Sequence, residues 1–204
     1  IWGVNPLKKR WFRRLVKKEE LFSGGSCTSG AVGPVAYVFR KISDFLSGIT
    51  LHEFTHDQRI NLGPLHDAIE RLFAAARTMA RSTSGAGTTV GKVIRAFAGR
   101  STFLSLREGY GGASVANILI KLKRGWGRKL TVEDVKQMLR EAAKDPSLED
   151  VIYIHEEPYE LDANLVKGMP YSCVIDLNRV RIIGDFLIID AWYDNELAYS
   201  TRML

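Results

Sequence analysis

Apolar side chains recur along the chain in two rhythms, and each rhythm predicts an element. Spacing of three and four at Val32, Val35, Ala36, Phe39 and Ile42 predicts a first helix. Pro34 suits that helix only within its first turn, which places the start close to Cys27. The same spacing predicts a second helix through Leu65, Ile69, Leu72, Phe73, Ala76 and Met79, and a third through Val90, Val93, Ile94 and Phe97. Thr131 and Asp134 read as a capping pair for a fourth, which shows Val135, Met138, Leu139 and Ala142 on one face and is stopped by Pro146. Runs of β-branched and apolar residues predict strands at Ile49–Phe54, Ser101–Leu106 and Ala113–Leu122, the last leading into a loop at Arg124–Lys129. The final third is strand-rich, with Val151–Ile154, Ser172–Leu177, Val180–Ile183 and Phe186–Tyr193, and Gly184-Asp185 as a two-residue hairpin turn. Helices and strands mix without a regular strand–helix–strand alternation. The expected fold is therefore α+β: one mixed, mostly antiparallel sheet with helices packed on one face.

Composition narrows the classes. With 204 residues, 46% hydrophobic and 25% charged, the chain can bury a sizeable core and is neither disordered nor collagen-like. No apolar run approaches the roughly 18 residues of a membrane helix. Two cysteines, Cys27 and Cys173, exclude a disulfide framework and point to the cytoplasm or another reducing compartment. The net charge is +6, and seven of the basic residues lie between Lys8 and Lys18, interleaved with Trp11, Phe12, Leu15 and Val16. Residues 1–26 thus read as a basic N-terminal extension or linker ending in Ser23-Gly24-Gly25-Ser26, and residues 27–204 as the domain. The basic run suits a solvated loop, or a surface that docks on nucleic acid, an anionic membrane or an acidic protein. Neither an apolar core nor a small-residue cleavage site follows it, so it does not read as a secretory leader.

Short motifs carry the candidate chemistry, and each has a plainer reading. His52-Glu53-Phe54-Thr55-His56 matches H-E-x-x-H, which on a helix sets two imidazoles one turn apart on a zinc, with the glutamate as base of a metallopeptidase. The β-like run Ile49-Thr50-Leu51 before it and Gly63-Pro64 after it leave no long helix to frame that spacing. The stretch from Ser84 to Lys92 resembles a phosphate-binding P-loop, but Ala86 stands where the first glycine belongs and Val93 where the magnesium-binding hydroxyl belongs. A glycine-rich helix entry is the plainer reading, and it still presents backbone N–H groups to an anion. Ser26-Cys27-Thr28 falls at the predicted start of the first helix, where the helix end favours a thiolate. His52, on the next strand, is placed to act as its base. An inert packed cysteine is the plainer alternative.

The stretch Ala191-Trp192-Tyr193-Asp194-Asn195-Glu196-Leu197-Ala198-Tyr199-Ser200 resembles the signature near the end of glyceraldehyde-3-phosphate dehydrogenases. Ser26-Cys27-Thr28 is similar to that family's active-site cysteine segment, and Leu51 to Arg59 to its histidine segment. Ser82-Thr83-Ser84-Gly85-Ala86 followed by Val90-Gly91-Lys92-Val93 is similar to its phosphate-site turn and helix, and Thr102 to Arg107 to its arginine strand. These landmarks occur in family order and cover about residues 27–204, with a fainter likeness at Gly3-Val4-Asn5. The resemblance implies that Cys27 attacks an aldehyde carbon to form a hemithioacetal and that His52 is the base. It implies that Thr55 and Arg107 hold the substrate phosphate, that Thr28, Ser84 and Gly85 hold the attacking inorganic phosphate, and that Arg71 adds positive charge nearby. Asn195 would contact the nicotinamide of NAD or NADP. No metal is implied, and a cytoplasmic, oligomeric oxidoreductase of glycolysis is. Only His52 and Thr55 of the H-E-x-x-H match fall on functional positions of the family.

The chain departs from the pattern in several places. Ser29-Gly30 follow the cysteine–threonine pair where the family has Thr-Asn, and Gly109 replaces the proline after the arginine strand. The segment between Asn5 and Cys27 is longer and strongly basic. No G-x-G-x-x-G follows a strand, and Gly109-Tyr110-Gly111-Gly112 lacks the third glycine and the helix. The resemblance therefore implies a catalytic domain that relies on a separate nucleotide-binding domain or chain. The alternative is an enzyme-derived, non-catalytic subunit whose basic N-terminal segment docks on nucleic acid or an acidic partner. Joint presence of Cys27, His52, Thr55, Arg71, Ser84, Arg107 and Asn195 favours the enzyme.

Overall fold

A computed structural model describes residues 1, 4, 23–53, 55, 79–109 and 112–203. In chain order these form α1 (Cys27–Phe39), β1 (Ser43–His52), β2 (Ala80–Thr83), α2 (Ala86–Val93), a 3₁₀ turn (Arg95–Phe97), β3 (Ser101–Arg107) and β4 (Ser114–Leu122). There follow α3 (Val132–Ala143), β5 (Ile152–His155), α4 (Ala163–Val166), β6 (Cys173–Asp176), a second 3₁₀ turn (Leu177–Arg179), β7 (Arg181–Ile183), β8 (Phe186–Tyr193) and α5 (Leu197–Thr201). The strands make one sheet in the order β2-β3-β1-β4-β8-β6-β5, with β7 also paired to β8. β1–β3 and β5–β6 are parallel, and the other pairings are antiparallel. The mixed, mostly antiparallel α+β fold is thus the one the pattern predicts. The predicted second helix as far as Ala76, the basic run, Phe54, His56 and Arg71 lie outside the described residues, while Met79, expected on the apolar face of that helix, is non-helical and exposed.

The alternation of β1, β4 and β8 builds the core. Leu46, Thr50 and His52 of β1, Ser114 to Leu122 at every second position of β4, and Leu187 to Tyr193 at every second position of β8 all point inward. α1 covers this face, burying Ala31, Val32, Val35, Ala36 and Phe39 without exposure. Val4 is buried in the same cluster and Ile1 packs against it. Val90 of α2 and Val135 and Leu139 of α3 complete it. On the opposite face, α4 forms a smaller cluster with Ala113, Val174 and Trp192.

Several expectations are corrected in detail. Pro34 lies well inside α1 rather than in its first turn. It supplies no N–H, and the helix holds there because tertiary packing rather than helix propensity fixes it. The third predicted helix breaks at Ile94, whose backbone is extended (φ −110°, ψ 98°), and the 3₁₀ turn carries Phe97 back into the core. β1 begins at Ser43 rather than Ile49. Its first half reads as polar because of Ser43, Asp44, Ser47 and Gly48. Gly48 is there because the Phe103 ring crosses it, where a Cβ would overlap the ring. The hairpin turn between β7 and β8 forms where expected, with Gly184 at φ 58°. The Thr131–Asp134 capping box is present at the start of α3.

The topology collects chemistry at one edge of the sheet. Parallel pairing sets His52 beside Arg107 at the C-terminal ends of β1 and β3. Antiparallel pairing brings the start of β4 and the end of β8 to the same edge, with Ser114 opposite Tyr193.

Candidate active site

Cys27 is the first residue of α1. The Ser26 side chain caps the helix by accepting the Ser29 N–H at 3.1 Å. Cys27 Sγ lies 3.3 Å from His52 Nε2. His52 Nδ1 lies 2.9 Å from the Glu53 carbonyl oxygen, which can only accept, so Nδ1 carries the proton and Nε2 is the basic nitrogen facing the thiol. Arg107 Nη1 stands 3.5 Å from the same Nδ1, at the limit of a hydrogen bond, while donating at 2.7 Å to Thr55 Oγ1. The shorter carbonyl contact sets the tautomer.

The helix start does not make the thiol acidic by itself, contrary to the expectation from its position. Burial pushes the Cys27 thiol up, and this outweighs the Thr28 and Cys27 amides, the Thr28 hydroxyl and the Arg107 charge, which all pull it down. Cys27 therefore rests as a thiol, with His52 Nε2 in reach of its proton. Cys173 is fully buried and its thiol is pushed far up by burial alone, so the plainer reading of an inert packed cysteine applies to it.

Behind the pair lies a buried hydroxyl cluster. Tyr193 Oη is 2.9 Å from Thr28 Oγ1 and 2.7 Å from Thr50 Oγ1, and burial pushes its pKa up, so it stays protonated. The Thr28 hydroxyl is therefore engaged in the core at 4% exposure. Thr28 keeps its backbone N–H at the helix start as the group it can offer an anion. On the other side of His52, the Glu53 N–H donates to Ser114 Oγ at 3.0 Å, and Ser114 Oγ donates to Asn195 Oδ1 at 3.0 Å. That bond fixes the Asn195 amide with its NH₂ available to a ligand carbonyl.

The structure thus brings Cys27, His52, Thr55 and Arg107 together and ties Thr28 and Asn195 to them through Tyr193 and Ser114. Ser84 and Gly85 stand apart, at the entry to α2, where Ser84 Oγ accepts the Ala86 N–H at 3.3 Å and Gly85 faces open space. α2 packs beside the start of α1, since a Cβ on Gly25 would sit 3.5 Å from the Thr89 methyl. Arg71 lies outside the described residues. His52 ends a strand rather than lying on a helix as the zinc spacing requires, and no group of three or more metal-ligating side chains occurs among the described residues. Among them no helix is long and apolar enough to cross a membrane. Sequence reasoning missed Ser114 and the hydroxyl role of Tyr193. The inward alternation of β8 was the available signal for Tyr193, whereas Ser114 becomes meaningful only through the sheet register.

Comparison with known proteins supplies an independent line. The family model described as glyceraldehyde 3-phosphate dehydrogenase, C-terminal domain, matches residues 26–195. A glyceraldehyde-3-phosphate dehydrogenase of Borreliella burgdorferi is 31% identical over 185 residues, covering 89% of this chain and 53% of the relative. Glyceraldehyde-3-phosphate dehydrogenase 2 of Streptomyces arenae is 31% identical over 190 residues, covering 92% and 54%. The Pseudomonas aeruginosa relative is 30% identical over 207 residues, covering 100% of this chain and 57% of its own length. The chain spans about half the length of the curated relatives it matches.

Proposed function

The chain belongs to the glyceraldehyde-3-phosphate dehydrogenase family through its C-terminal domain, and from that premise we propose that it is the catalytic part of a phosphorylating aldehyde dehydrogenase. The observation that carries the proposal is the 3.3 Å contact between Cys27 Sγ and His52 Nε2, with the Arg107–Thr55 pair alongside.

His52 Nε2 takes the thiol proton as Cys27 Sγ attacks the aldehyde carbon and passes it to the carbonyl oxygen, forming a hemithioacetal and leaving Nε2 free again. Arg107 and Thr55 hold the phosphate of the substrate and thereby fix its carbonyl against the thiol. His52 then accepts the hemithioacetal hydroxyl proton as the carbon is oxidised to a thioester. Inorganic phosphate held by Ser84, Gly85 and the Thr28 N–H attacks that thioester and releases Cys27 as the thiol. Arg71 would add charge at these anion sites.

The described residues fit only the nicotinamide end of a cofactor: the Asn195 NH₂ is presented by Ser114, and no dinucleotide-binding strand–glycine–helix unit is among them. NAD or NADP, when bound, supplies the hydride acceptor. Its remaining contacts belong to a separate dinucleotide-binding domain or chain. Residues 1–26 would be a basic extension, with Ile1 and Val4 docked on α1. We place the enzyme in the cytoplasm or another reducing compartment, as an oligomer assembled through the outer sheet face. That face leaves Phe45, Ile49 and Leu51 more than a third exposed.

Limited iodoacetamide at neutral pH with peptide mapping should label Cys27 and spare Cys173. With a separately expressed dinucleotide-binding domain, a phosphorylated aldehyde and phosphate, the chain should reduce NAD, and Cys27→Ser should abolish that. Verified docking of the two without turnover would favour the non-catalytic subunit instead.

A further inference from the structure

Glu53 sits where a charge is least expected. It follows the base in sequence, its side chain is 5% exposed, and Oε1 accepts from Lys167 Nζ at 3.0 Å. Its other oxygen, Oε2, is buried without a hydrogen-bond partner among the described residues. Lys167 comes from the turn after α4, 114 residues further along the chain, and its ammonium also faces Asp194 Oδ2 at 3.9 Å and Glu196 Oε2 at 3.5 Å. Asp194 in turn accepts the Gly168, Glu196 and Leu197 N–H groups, which pins the Lys167 turn to the residues on either side of Asn195. One ammonium therefore ties together the segment after β1 and the segment after β8.

The backbone of Glu53 is what gives the tie a consequence. Its carbonyl holds the Nδ1 proton of His52 at 2.9 Å, and its N–H holds Ser114, which orients Asn195. We propose that the Lys167–Glu53 ion pair is a positioning device that fixes the tautomer of His52 and the amide orientation of Asn195 together. The inference rests on the reading of Cys27 and His52 as nucleophile and base. Lys167 and Glu53 are positioning residues; neither touches the thiol.

The charges explain why the pair cannot be trimmed without effect. Burial pushes the Glu53 carboxyl up, Lys167 pulls it down, and Asp194 and Glu196 push it up. Without Lys167, burial, Asp194 and Glu196 all oppose the carboxylate. The buried group must then protonate or leave its site, and the carbonyl attached to it moves with it. A purely structural ion pair would lower stability and leave the titration of Cys27 in place.

The test follows the His52 ring nitrogens by ¹⁵N NMR in the full chain, together with the pH profile of Cys27 alkylation by iodoacetamide. The parent should show the Nδ1–H tautomer. In Lys167→Met, the Nε2–H tautomer should appear and alkylation at neutral pH should fall about tenfold, the lower end of what losing an orienting partner costs. Lys167→Arg should restore both readouts. A folded Lys167→Met chain with the parent's tautomer and pH profile overturns the proposal. If that variant does not fold, Lys167→Met combined with Glu53→Ala, which removes the buried charge as well, takes its place under the same two outcomes. His52→Asn in the parent background separates the two levels of the argument. If it leaves Cys27 reactivity unchanged, the nucleophile–base reading fails; if it changes reactivity and Lys167→Met does not, only the positioning device falls.

Discussion

Tyr193→Phe isolates one oxygen whose surroundings are fully defined. The ring is 1% exposed and keeps its volume in the variant, so no cavity opens. What disappears is the phenol oxygen between Thr28 Oγ1 and Thr50 Oγ1, at 2.9 and 2.7 Å, which the Ser114 hydroxyl also approaches. Thr50 is 0% exposed and Thr28 4%, so bulk water cannot replace the lost partner of either. An unsatisfied buried hydroxyl costs about 1–3 kcal/mol, which for this pair gives an expected loss of about 2–3 kcal/mol after local relaxation. For a domain of this size that is a fall of about 4–12 °C in melting temperature.

Urea unfolding of the parent, Tyr193→Phe, Thr50→Val and the double variant measures the coupling directly. Thr50→Val removes one partner and leaves the phenol bonded to Thr28. The double variant removes both ends of one bond, which is far less harmful than orphaning one end. Its loss should therefore be smaller than the sum of the singles by about 1 kcal/mol. Additive losses, or a Tyr193→Phe chain within about 0.5 kcal/mol of the parent, would refute the claim that this oxygen holds the helix start against β1.

Two further outcomes test the sheet. Gly48→Ala should destabilise the chain by at least about 1–3 kcal/mol in urea unfolding, because the new methyl meets the Phe103 ring and the Asn117 carbonyl in the middle of β1; a neutral effect would show that β1 and β3 are not packed as described. Ile49→Asp, on the outward face at 45% exposure, should leave the fold intact by circular dichroism and lower the mass seen by sedimentation; an unchanged assembly would exclude this face as the interface.

Local pattern was enough where one element decides the answer. The α1 start at Cys27, the capping box at Thr131 and the Gly184 turn each depend on a few neighbouring residues, and each stands where the sequence puts it. It was not enough where distant segments meet. Ser114 is silent in sequence and becomes the link between Glu53 and Asn195 only once β4 pairs with β1 and β8. The polar first half of β1 hides a central strand, because the ring of Phe103 fills the space that a side chain at position 48 would have taken. The H-E-x-x-H match shows the converse: its first histidine ends a strand rather than sitting on a helix, and the alternation of that strand turns His52 inward to the thiol.

Burial at Cys27 was equally illegible, and it bears on how such a site must work. A helix end and a guanidinium argue for a thiolate, but burial outweighs them in the chain as it stands. On the proposed function, a phosphorylated aldehyde on Arg107 would cancel part of the Arg107 pull just when Cys27 is to attack, and it would exclude water as well, which raises the thiol further. Electrostatics alone thus point away from a thiolate at the moment of attack. The proton must leave by transfer, and the geometry provides for that with Nε2 at 3.3 Å and Nδ1–H already committed to a carbonyl. The orientation of His52, more than the acidity of Cys27, is the property this arrangement has to protect.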